Sequence, residues 1–153
     1  MINGEAVAGV FPGIAAGERH DPGDAAVLDP ASGSVDYVNA GHELPALLGA
    51  DGAVRTRLAP TGPAVGLMAE LPFGVARECI GRGETLVAYT DGVVDARNPA
   101  EESYGEDRLM GLFADGGATA QGLIDRVDSA LGAFIADAAQ FDDIAMLAAR
   151  RMP

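Results

Sequence analysis

The sequence predicts an α+β domain in which helices cover an antiparallel sheet. Three observations support this fold class. Short apolar runs separated by turn residues occupy residues 25–90, helical spacing of apolar residues follows over 103–138, and a last apolar run begins at Ile144. Strands joined by short turns pair as antiparallel neighbours, and helices that follow them pack on a face of their sheet. A chain of 153 residues is expected to form one such domain.

Residues 1–24 are predicted to be an irregular or poorly ordered segment, because their apolar residues follow neither the period of a strand nor that of a helix. The folded domain is therefore expected to comprise residues 25–153. Its first hairpin joins Ala25–Leu28 to Val35–Val38 through a connection made almost wholly of turn residues. Regular structure is thus expected to begin with two antiparallel strands.

A second hairpin and a further pair of strands follow. Pro45–Leu48 and Ala53–Leu58 flank an Asp-Gly turn, and Phe73–Ile80 is the next predicted strand. Gly81–Glu84 then connects that strand to the apolar run Thr85–Tyr89. Because this connection is short, the two strands that it joins are expected to lie side by side in one sheet.

Two helices are predicted after these strands. Ser103–Glu106 has a capping-box pattern, which indicates the start of a short helix that continues to Phe113. Between Leu123 and Ala138 apolar residues recur at spacings of three and four, as in a helix with one buried face. The chain then closes with a strand that begins at Ile144.

Carboxylates stand at the ends of two predicted strands. Asp91 follows the run Thr85–Tyr89, and Gly92 is expected to let the backbone turn sharply there. Asp142 and Asp143 directly precede the closing strand. If the strand ends are neighbours, two carboxylates about 5 Å apart would repel by roughly 3 kcal/mol at an effective dielectric constant of about 20. Their convergence predicts a bound cation, and oxygen ligands suit manganese or magnesium.

Each candidate residue also has a plainer interpretation. Asp-Gly is a common turn dipeptide, so a simple turn stays open for Asp91. His42 follows an Ala-Gly turn, where it would act as an acid, a base or a ligand, or would fix the turn by hydrogen bonding, which is the favoured interpretation. Cys79 is expected to be a buried, inert thiol within its strand.

Composition limits the partners. Ten basic and 23 acidic residues give a net charge of −13, which would repel a phosphate backbone and argues against a nucleic-acid partner. No apolar stretch approaches the roughly 18 residues of a membrane span, and the N-terminus lacks the positive charge of a signal peptide. The single cysteine permits no internal disulfide, which fits a reducing compartment. A cytoplasmic protein without a membrane partner is expected.

Six segments, in order, carry a family resemblance over residues 25–150. They are Leu28-Asp29-Pro30 with Ser32-Gly33, Tyr37-Val38-Asn39-Ala40-Gly41-His42, Thr61-Gly62 through Val65-Gly66-Leu67, Gly83-Glu84-Thr85-Leu86 into Tyr89-Thr90-Asp91-Gly92, Tyr104-Gly105-Glu106-Asp107-Arg108-Leu109, and Asp142-Asp143-Ile144. Any one of them is weak, but their shared order and spacing are specific. On these segments the chain resembles the C-terminal half of the SpoIIE/RsbU-like branch of the metal-dependent (PPM-type) protein phosphatases.

The resemblance implies a fold, an activity and a set of site residues. The implied fold is a sandwich of two antiparallel sheets between layers of helices, with a two-metal centre that holds Mn²⁺ or Mg²⁺. The implied activity is hydrolysis of phosphoserine or phosphothreonine in a protein substrate, often an anti-anti-sigma-like regulator, by a metal-activated water. Asp91 and Asp142 match metal ligands of the family, and Gly92, Asp143 and His42 would surround them.

The sequence departs from the family pattern in one respect. Family members carry, upstream of the Asn-Ala-Gly-His stretch, an Asp-x-x-Gly-His-Gly-like segment whose aspartate bridges both metals, and no such segment precedes Asn39 here. The sequence therefore matches a PPM-type sandwich that lacks its N-terminal part, and a poor enzyme is expected from this chain alone. Two alternatives to a phosphatase stay open. One is a catalytically dead, phosphatase-like module that binds a protein partner, and the other is a fragment that self-associates through exposed apolar sheet surface.

Overall fold

The computed structural model describes residues 7–10, 25–63, 73–114, 119–140 and 142–153, with the side chains of all but the first range. Eight strands and three helices lie in these ranges. They are β1 (Val7–Val10), β2 (Ala25–Leu28), β3 (Ser34–Val38), β4 (Ala46–Leu48), β5 (Val54–Arg57), β6 (Ala76–Cys79), β7 (Thr85–Tyr89), α1 (Asp91–Val94), α2 (Glu106–Ala114), α3 (Ala120–Ile135) and β8 (Met146–Arg150). No helix in these ranges has the length and apolar character that crossing a membrane requires.

The strands form two antiparallel sheets that pack face to face. One sheet has the order β1-β2-β3-β6 and the other the order β5-β4-β7-β8. Val35 and Tyr37 of the first sheet share a buried cluster with Leu47 and Leu86 of the second. This arrangement is the two-sheet sandwich that the family resemblance implied, and the predicted fold class is confirmed.

Helices α2 and α3 cover the other face of the second sheet. Val87 packs on this side in a buried cluster with Leu109 and Phe113 of α2 and Val127 of α3. Because neighbouring residues of a strand point to opposite faces, Leu86 faces the first sheet while Val87 faces the helices. All five residues of β7 are buried as a result. The continuous apolar run that marked this strand in the sequence therefore has a partner on both sides.

Both predicted hairpins are present. Strands β2 and β3 pair from Ala25↔Val38 to Leu28↔Val35, and β4 pairs with β5 on either side of the Asp-Gly turn. The first turn is held by Asp29, whose carboxylate accepts hydrogen bonds from the Ser32 hydroxyl (2.6 Å) and the Ala31 N–H (2.9 Å). Turn residues thus make the local bonds that their position in the sequence predicts.

The prediction that Phe73–Ile80 pairs with Thr85–Tyr89 is wrong. Strand β6 pairs with β3 in the first sheet, whereas β7 lies between β4 and β8 in the second. The connection Gly81–Glu84 crosses between the sheets, closed by the Gly81 N–H bond to the Glu84 carboxylate (2.7 Å). The reason is burial: β7 is apolar on both faces and needs a central position, while β6 carries exposed polar residues that suit the edge of a sheet.

Three further local predictions need correction. Val7–Val10, within the segment predicted to be irregular, forms β1 on the free edge of β2, and the rest of residues 1–24 lies outside the described residues.

Cys79 is exposed rather than buried, because it points outward from β6 at the sheet edge. Helix α2 begins at Glu106 itself, so the capping box does not form, and Arg108 instead binds the carbonyl oxygens just before the helix (2.8 and 2.9 Å).

Candidate metal site

The two acid-bearing strand ends lie side by side. Strands β7 and β8 are antiparallel neighbours, and their register ends with Tyr89 opposite Met146. The C-terminal end of β7, which leads into Asp91, therefore adjoins the segment that carries Asp142 into β8. A cation site shared by the two acids requires that these strand ends are adjacent, and the sheet order meets this requirement.

Thr90 holds the two strand ends together. Its N–H donates to the Ala145 carbonyl (3.0 Å), its hydroxyl donates to the Asp143 carbonyl (2.7 Å), and the same hydroxyl oxygen accepts the Ala145 N–H (3.0 Å). Three bonds from one residue thus fix the backbone beside Asp91 against the backbone beside Asp142. The sequence analysis gave Thr90 no role of its own. The signal that could have identified it is its position directly before Asp91.

Gly92 brings the two segments into close contact. The residue is buried in the short helix α1, and a Cβ built on it would overlap the Asp143 carbonyl oxygen and lie 2.8 Å from its carbonyl carbon. Real Cβ atoms do not approach backbone this closely, so only glycine fits. The predicted reason for Gly92, a sharp turn, is therefore wrong, because the backbone there is helical and the requirement is space for the Asp142–Asp143 segment.

The carboxylates of Asp91 and Asp142 are exposed and make only local hydrogen bonds. Asp91 Oδ1 accepts the N–H of Gly92 (2.9 Å), and Asp142 Oδ1 accepts the N–H of Asp143 (2.7 Å). Among the described residues, no hydrogen bond reaches Oδ2 of either side chain. Each acid therefore keeps an oxygen for a cation, and such hard, charged oxygens are what Mn²⁺ and Mg²⁺ prefer.

The described residues supply two carboxylates but not a full coordination set. Within the described ranges, no group of three or more histidine, cysteine, aspartate or glutamate side chains is placed to hold a metal. A divalent ion held by Asp91 and Asp142 would take its other ligands from water or from residues beyond those ranges. The assignment of both acids as ligands stays a prediction, now with a structural basis in the contact between their segments.

The turn before β4 is held by Asn39 and not by His42. Asn39 Oδ1 accepts the N–H of Gly41 (2.9 Å), and Gly41 adopts a φ of 97°. Asn39 is buried, and its backbone exchanges hydrogen bonds with Thr61 (2.8 and 3.0 Å). His42 is exposed, and its side chain makes no hydrogen bond within the described part of the chain. The turn-fixing role predicted for His42 therefore belongs to Asn39, and a role of His42 beside the acids stays a prediction.

Tyr89 anchors the strand directly before this site. Its hydroxyl accepts a hydrogen bond from Arg57 Nη2 (2.8 Å), and Arg57 also donates to the Leu44 carbonyl oxygen (2.9 and 3.2 Å). Burial raises the pKa of Tyr89 and the Arg57 charge opposes that rise. The phenol is therefore neutral near pH 7, and its part is to hold the end of β7 in place rather than to exchange protons.

The sandwich is the fold of the PP2C-type phosphatases. The solved phosphatase domain of the cell fate determinant SpoIIE from Bacillus subtilis, presoaked with Mn, matches with a TM-score of 0.61 at 16% identity, over 84% of this chain and 56% of that one. A family model described as Stage II sporulation protein E (SpoIIE) matches residues 20–152. The chain belongs to the SpoIIE family, as its sequence motifs predicted.

Two curated proteins are similar in sequence. Protein IcfG of Synechocystis is 40% identical over 125 residues, which are 82% of this chain and 20% of IcfG. The phosphoserine phosphatase RsbP of Bacillus subtilis is 38% identical over 68 residues, which are 44% of this chain and 17% of RsbP. The chain thus spans at most about a fifth of either relative and little more than half of the solved SpoIIE phosphatase domain.

Proposed function

We propose that this chain supplies part of the active site of a metal-dependent protein serine/threonine phosphatase, in which Asp91 and Asp142 hold Mn²⁺ or Mg²⁺. The observation that carries the proposal is the junction between β7 and β8. There Thr90 makes hydrogen bonds to the backbone of Asp143 and Ala145, and Gly92 leaves room for the Asp142–Asp143 backbone at contact distance. Two exposed carboxylates thus lie at one end of the sandwich, on two backbone segments that hydrogen bonds hold together.

The chemistry follows from these acids. A divalent ion bound at such a site would lower the pKa of a bound water and polarise a phosphoryl oxygen. Asp91 and Asp142 contribute the negative charge that holds the cation, and their hydrogen bonds to the N–H groups of Gly92 and Asp143 orient one oxygen of each. Thr90 and Gly92 keep the two carboxylate-bearing segments in register, which sets the geometry that any metal-assisted reaction needs.

The proposed substrate is a phosphoserine or phosphothreonine side chain on an anti-anti-sigma-like regulatory protein in the cytoplasm. Membership of the SpoIIE family and the similarity to a relative named a phosphoserine phosphatase support this class of substrate. The net charge of −13 argues against nucleic acid as a partner. A phosphate group at such a site needs no positively charged protein surface, because a bound metal ion would supply the positive charge.

A second candidate is a phosphatase-like module that binds its protein partner without hydrolysing it. One observation favours it: within the described ranges, the two acids have no third histidine, cysteine, aspartate or glutamate positioned beside them as a ligand. Metal binding does not distinguish the two candidate functions, because the two carboxylates would attract a cation in either case. Turnover does separate them, and it is measured on the same protein.

Manganese is expected to stabilise the folded protein through Asp91 and Asp142. If the dissociation constant is about 1 mM, then about 10 mM Mn²⁺ stabilises the fold by roughly 1.4 kcal/mol, which raises the melting temperature by a few degrees. Asp142→Asn is expected to abolish this shift. Zinc prefers nitrogen and sulfur ligands and should add nothing specific. The measurement is a melting series in EDTA and in manganese on the parent chain and the variant.

The matched control for this series is Asp128→Asn. Asp128 is exposed on α3 and lies on a different element from both acids, so its removal changes the net charge equally but is expected to leave the manganese shift intact. Equal shifts in the parent and in Asp142→Asn would show that the two acids form no common site. The metal part of the proposed function would then be withdrawn.

Hydrolysis of a phosphoserine peptide by this chain alone is expected to stay near background in the presence of manganese. The reason is the incomplete ligand set, since among the described residues no third histidine, cysteine, aspartate or glutamate joins Asp91 and Asp142 in a group that could hold a metal. The measurement is release of inorganic phosphate with and without Mn²⁺. Robust manganese-dependent turnover that disappears in Asp91→Asn would contradict this expectation and exclude the non-catalytic module. It would also point to a further ligand within the chain, with Asp24 the first residue to replace.

A further inference from the structure

Arg57 uses every nitrogen of its guanidinium to join separate parts of the chain. Nε and Nη2 donate to the Leu44 carbonyl oxygen (3.2 and 2.9 Å), and Nη2 also donates to the Tyr89 hydroxyl (2.8 Å). Nη1 forms an ion pair with the Glu106 carboxylate. Because Arg57 is the last residue of β5, its side chain connects this strand to the segment before β4, to the end of β7 and to the first residue of α2.

Two of these parts carry candidate site residues. Leu44 lies two residues after His42, and Tyr89 lies two residues before Asp91. Strands β4 and β7 are antiparallel neighbours, so the start of β4 and the end of β7 lie at the same end of the sheet. Arg57 therefore ties the backbone that leaves the His42 turn to the strand that leads to Asp91.

Burial and geometry make this connection specific for arginine. The Arg57 side chain exposes 23% of its surface. Tyr89 is buried, and its ring packs at 6.4 Å from the ring of Phe113 in α2. Hydrogen bonds from a charged donor that is largely removed from water are stronger than neutral, exposed ones. The planar guanidinium also fixes the directions of its donors, which the single ammonium group of lysine does not reproduce.

The positive charge of Arg57 by itself disfavours a cation at the neighbouring acids. Like charges repel, and the Glu106 carboxylate, with a side chain 48% exposed, offsets part of the Arg57 charge. On this ground alone, removing the charge would strengthen manganese binding. Removing the hydrogen bonds would instead let the two segments move and would weaken it. The sign of the change in affinity therefore distinguishes an electrostatic effect from a positioning effect.

We propose that Arg57 is a positioning residue of the proposed metal site, which holds the segments of His42 and Asp91 in register with each other. Arg57 acts through its hydrogen bonds to Leu44 and Tyr89, while the ion pair with α2 orients its guanidinium. The inference rests on the proposed function, because a positioning role has meaning only for a site that binds the ion.

The test measures the dissociation constant of Mn²⁺ for the full chain, from the electron paramagnetic resonance signal of free Mn²⁺ at a temperature where every variant is folded. Arg57→Met keeps an unbranched side chain but loses every donor. It is expected to weaken manganese binding at least about threefold, which is less than the roughly 10- to 100-fold typical of residues that bond a metal ligand directly. Arg57→Lys keeps the charge and is expected to weaken binding as well, because it lacks the planar fork.

Hydrogen exchange shows whether the two segments themselves loosen. In Arg57→Met, the backbone N–H groups of residues 42–46 and 89–93 are expected to exchange faster than in the parent, because their shared anchor is lost. The β2–β3 hairpin belongs to the other sheet, and its exchange is expected to stay unchanged. If neither Arg57 variant folds, Tyr89→Phe decides. It removes only the hydroxyl that accepts from Arg57 and is expected to weaken manganese binding roughly twofold.

Arg55→Met is the matched control, since it removes the same charge from the same strand. Arg55 pairs with Glu84 (3.3 Å) and donates to the Cys79 carbonyl oxygen (2.8 Å). Glu84 directly precedes β7, so these contacts lie at the end of that strand opposite Asp91. Arg55→Met is therefore expected to bind manganese no more weakly than the parent.

Three results overturn the inference. One is manganese binding that is unchanged or tighter in Arg57→Met and Arg57→Lys, or in Tyr89→Phe where that variant decides. Another is equal weakening by Arg55→Met. The third is faster exchange in Arg57→Met without weaker binding, because the segments would then move without affecting the site. Failure of the proposed function appears in the parent chain instead, as a manganese response that Asp142→Asn leaves unchanged, and it would remove the site that Arg57 is proposed to position.

Discussion

Replacing Gly92 by alanine is expected to lower the free energy of unfolding by about 1 to 3 kcal/mol and to abolish the manganese-induced rise in melting temperature. The new Cβ would overlap the Asp143 carbonyl oxygen and lie 3.3 Å from the Asp142 carbonyl carbon. These are backbone atoms, which cannot rotate out of the way as a side chain can. The segment that carries Asp142 must therefore move away from Asp91, and the two carboxylates lose their common position.

The measurement is denaturant unfolding together with the melting series in manganese and EDTA. Gly111→Ala is the matched control, because Gly111 lies inside α2 with open space where its Cβ would be. In a helix interior this change is expected to stabilise the protein by about 0.5 to 1 kcal/mol. A Gly92→Ala protein with parental stability and a full manganese shift would show that the two acid-bearing segments do not depend on this contact.

Truncating Phe113 is expected to produce the largest loss of stability, about 3 to 5 kcal/mol for Phe113→Ala. Phe113 has no exposed surface and lies between α2 and the second sheet, in the cluster that includes Val87 and Leu109. Its ring packs at 6.4 Å from the ring of Tyr89. The substitution removes these contacts and leaves a cavity beneath the strand that leads to Asp91. Denaturant titration monitored by circular dichroism measures the loss.

Phe134→Ala provides the comparison for that experiment. Phe134 on α3 is only partly buried, and its ring meets Tyr104 edge-on at 5.1 Å and the Arg108 guanidinium at 4.9 Å. Truncation should therefore cost less, about 1 to 2 kcal/mol. Similar losses for the two variants would mean that the region between α2 and β7 is not the main core on this side of the sheet.

Much of the fold was predictable because its signals are local. The run Thr85–Tyr89 has five apolar or β-branched residues in succession, and it is a strand buried on both faces. The spacing from Leu123 onward predicted α3, which begins at Ala120 behind the cap Thr119 and ends at Ile135, three residues before the predicted end at Ala138. Periodicity and turn chemistry depend on neighbours in the chain, and these elements needed nothing else.

The errors share a cause, which is that they concern partners distant in the chain. The short connection Gly81–Glu84 suggested that the strands on either side would pair, but the burial of β7 placed them in different sheets. Gly92 was attributed to a sharp turn because glycine gives the backbone conformational freedom, whereas the atom that requires glycine belongs to Asp143. His42 was assigned to the turn and Asn39 was given no role, because the burial of Asn39 is invisible in the sequence.

The sequence by itself determined the fold class, the SpoIIE family and the two acids at strand ends, because each of these rests on residue types in a fixed order along the chain. Only the tertiary structure decided that β7 and β8 are neighbours and that Thr90 and Gly92 join the ends that carry Asp91 and Asp142. The physical reason is that strand order depends on which apolar faces bury one another, and that choice is made between residues far apart in the chain.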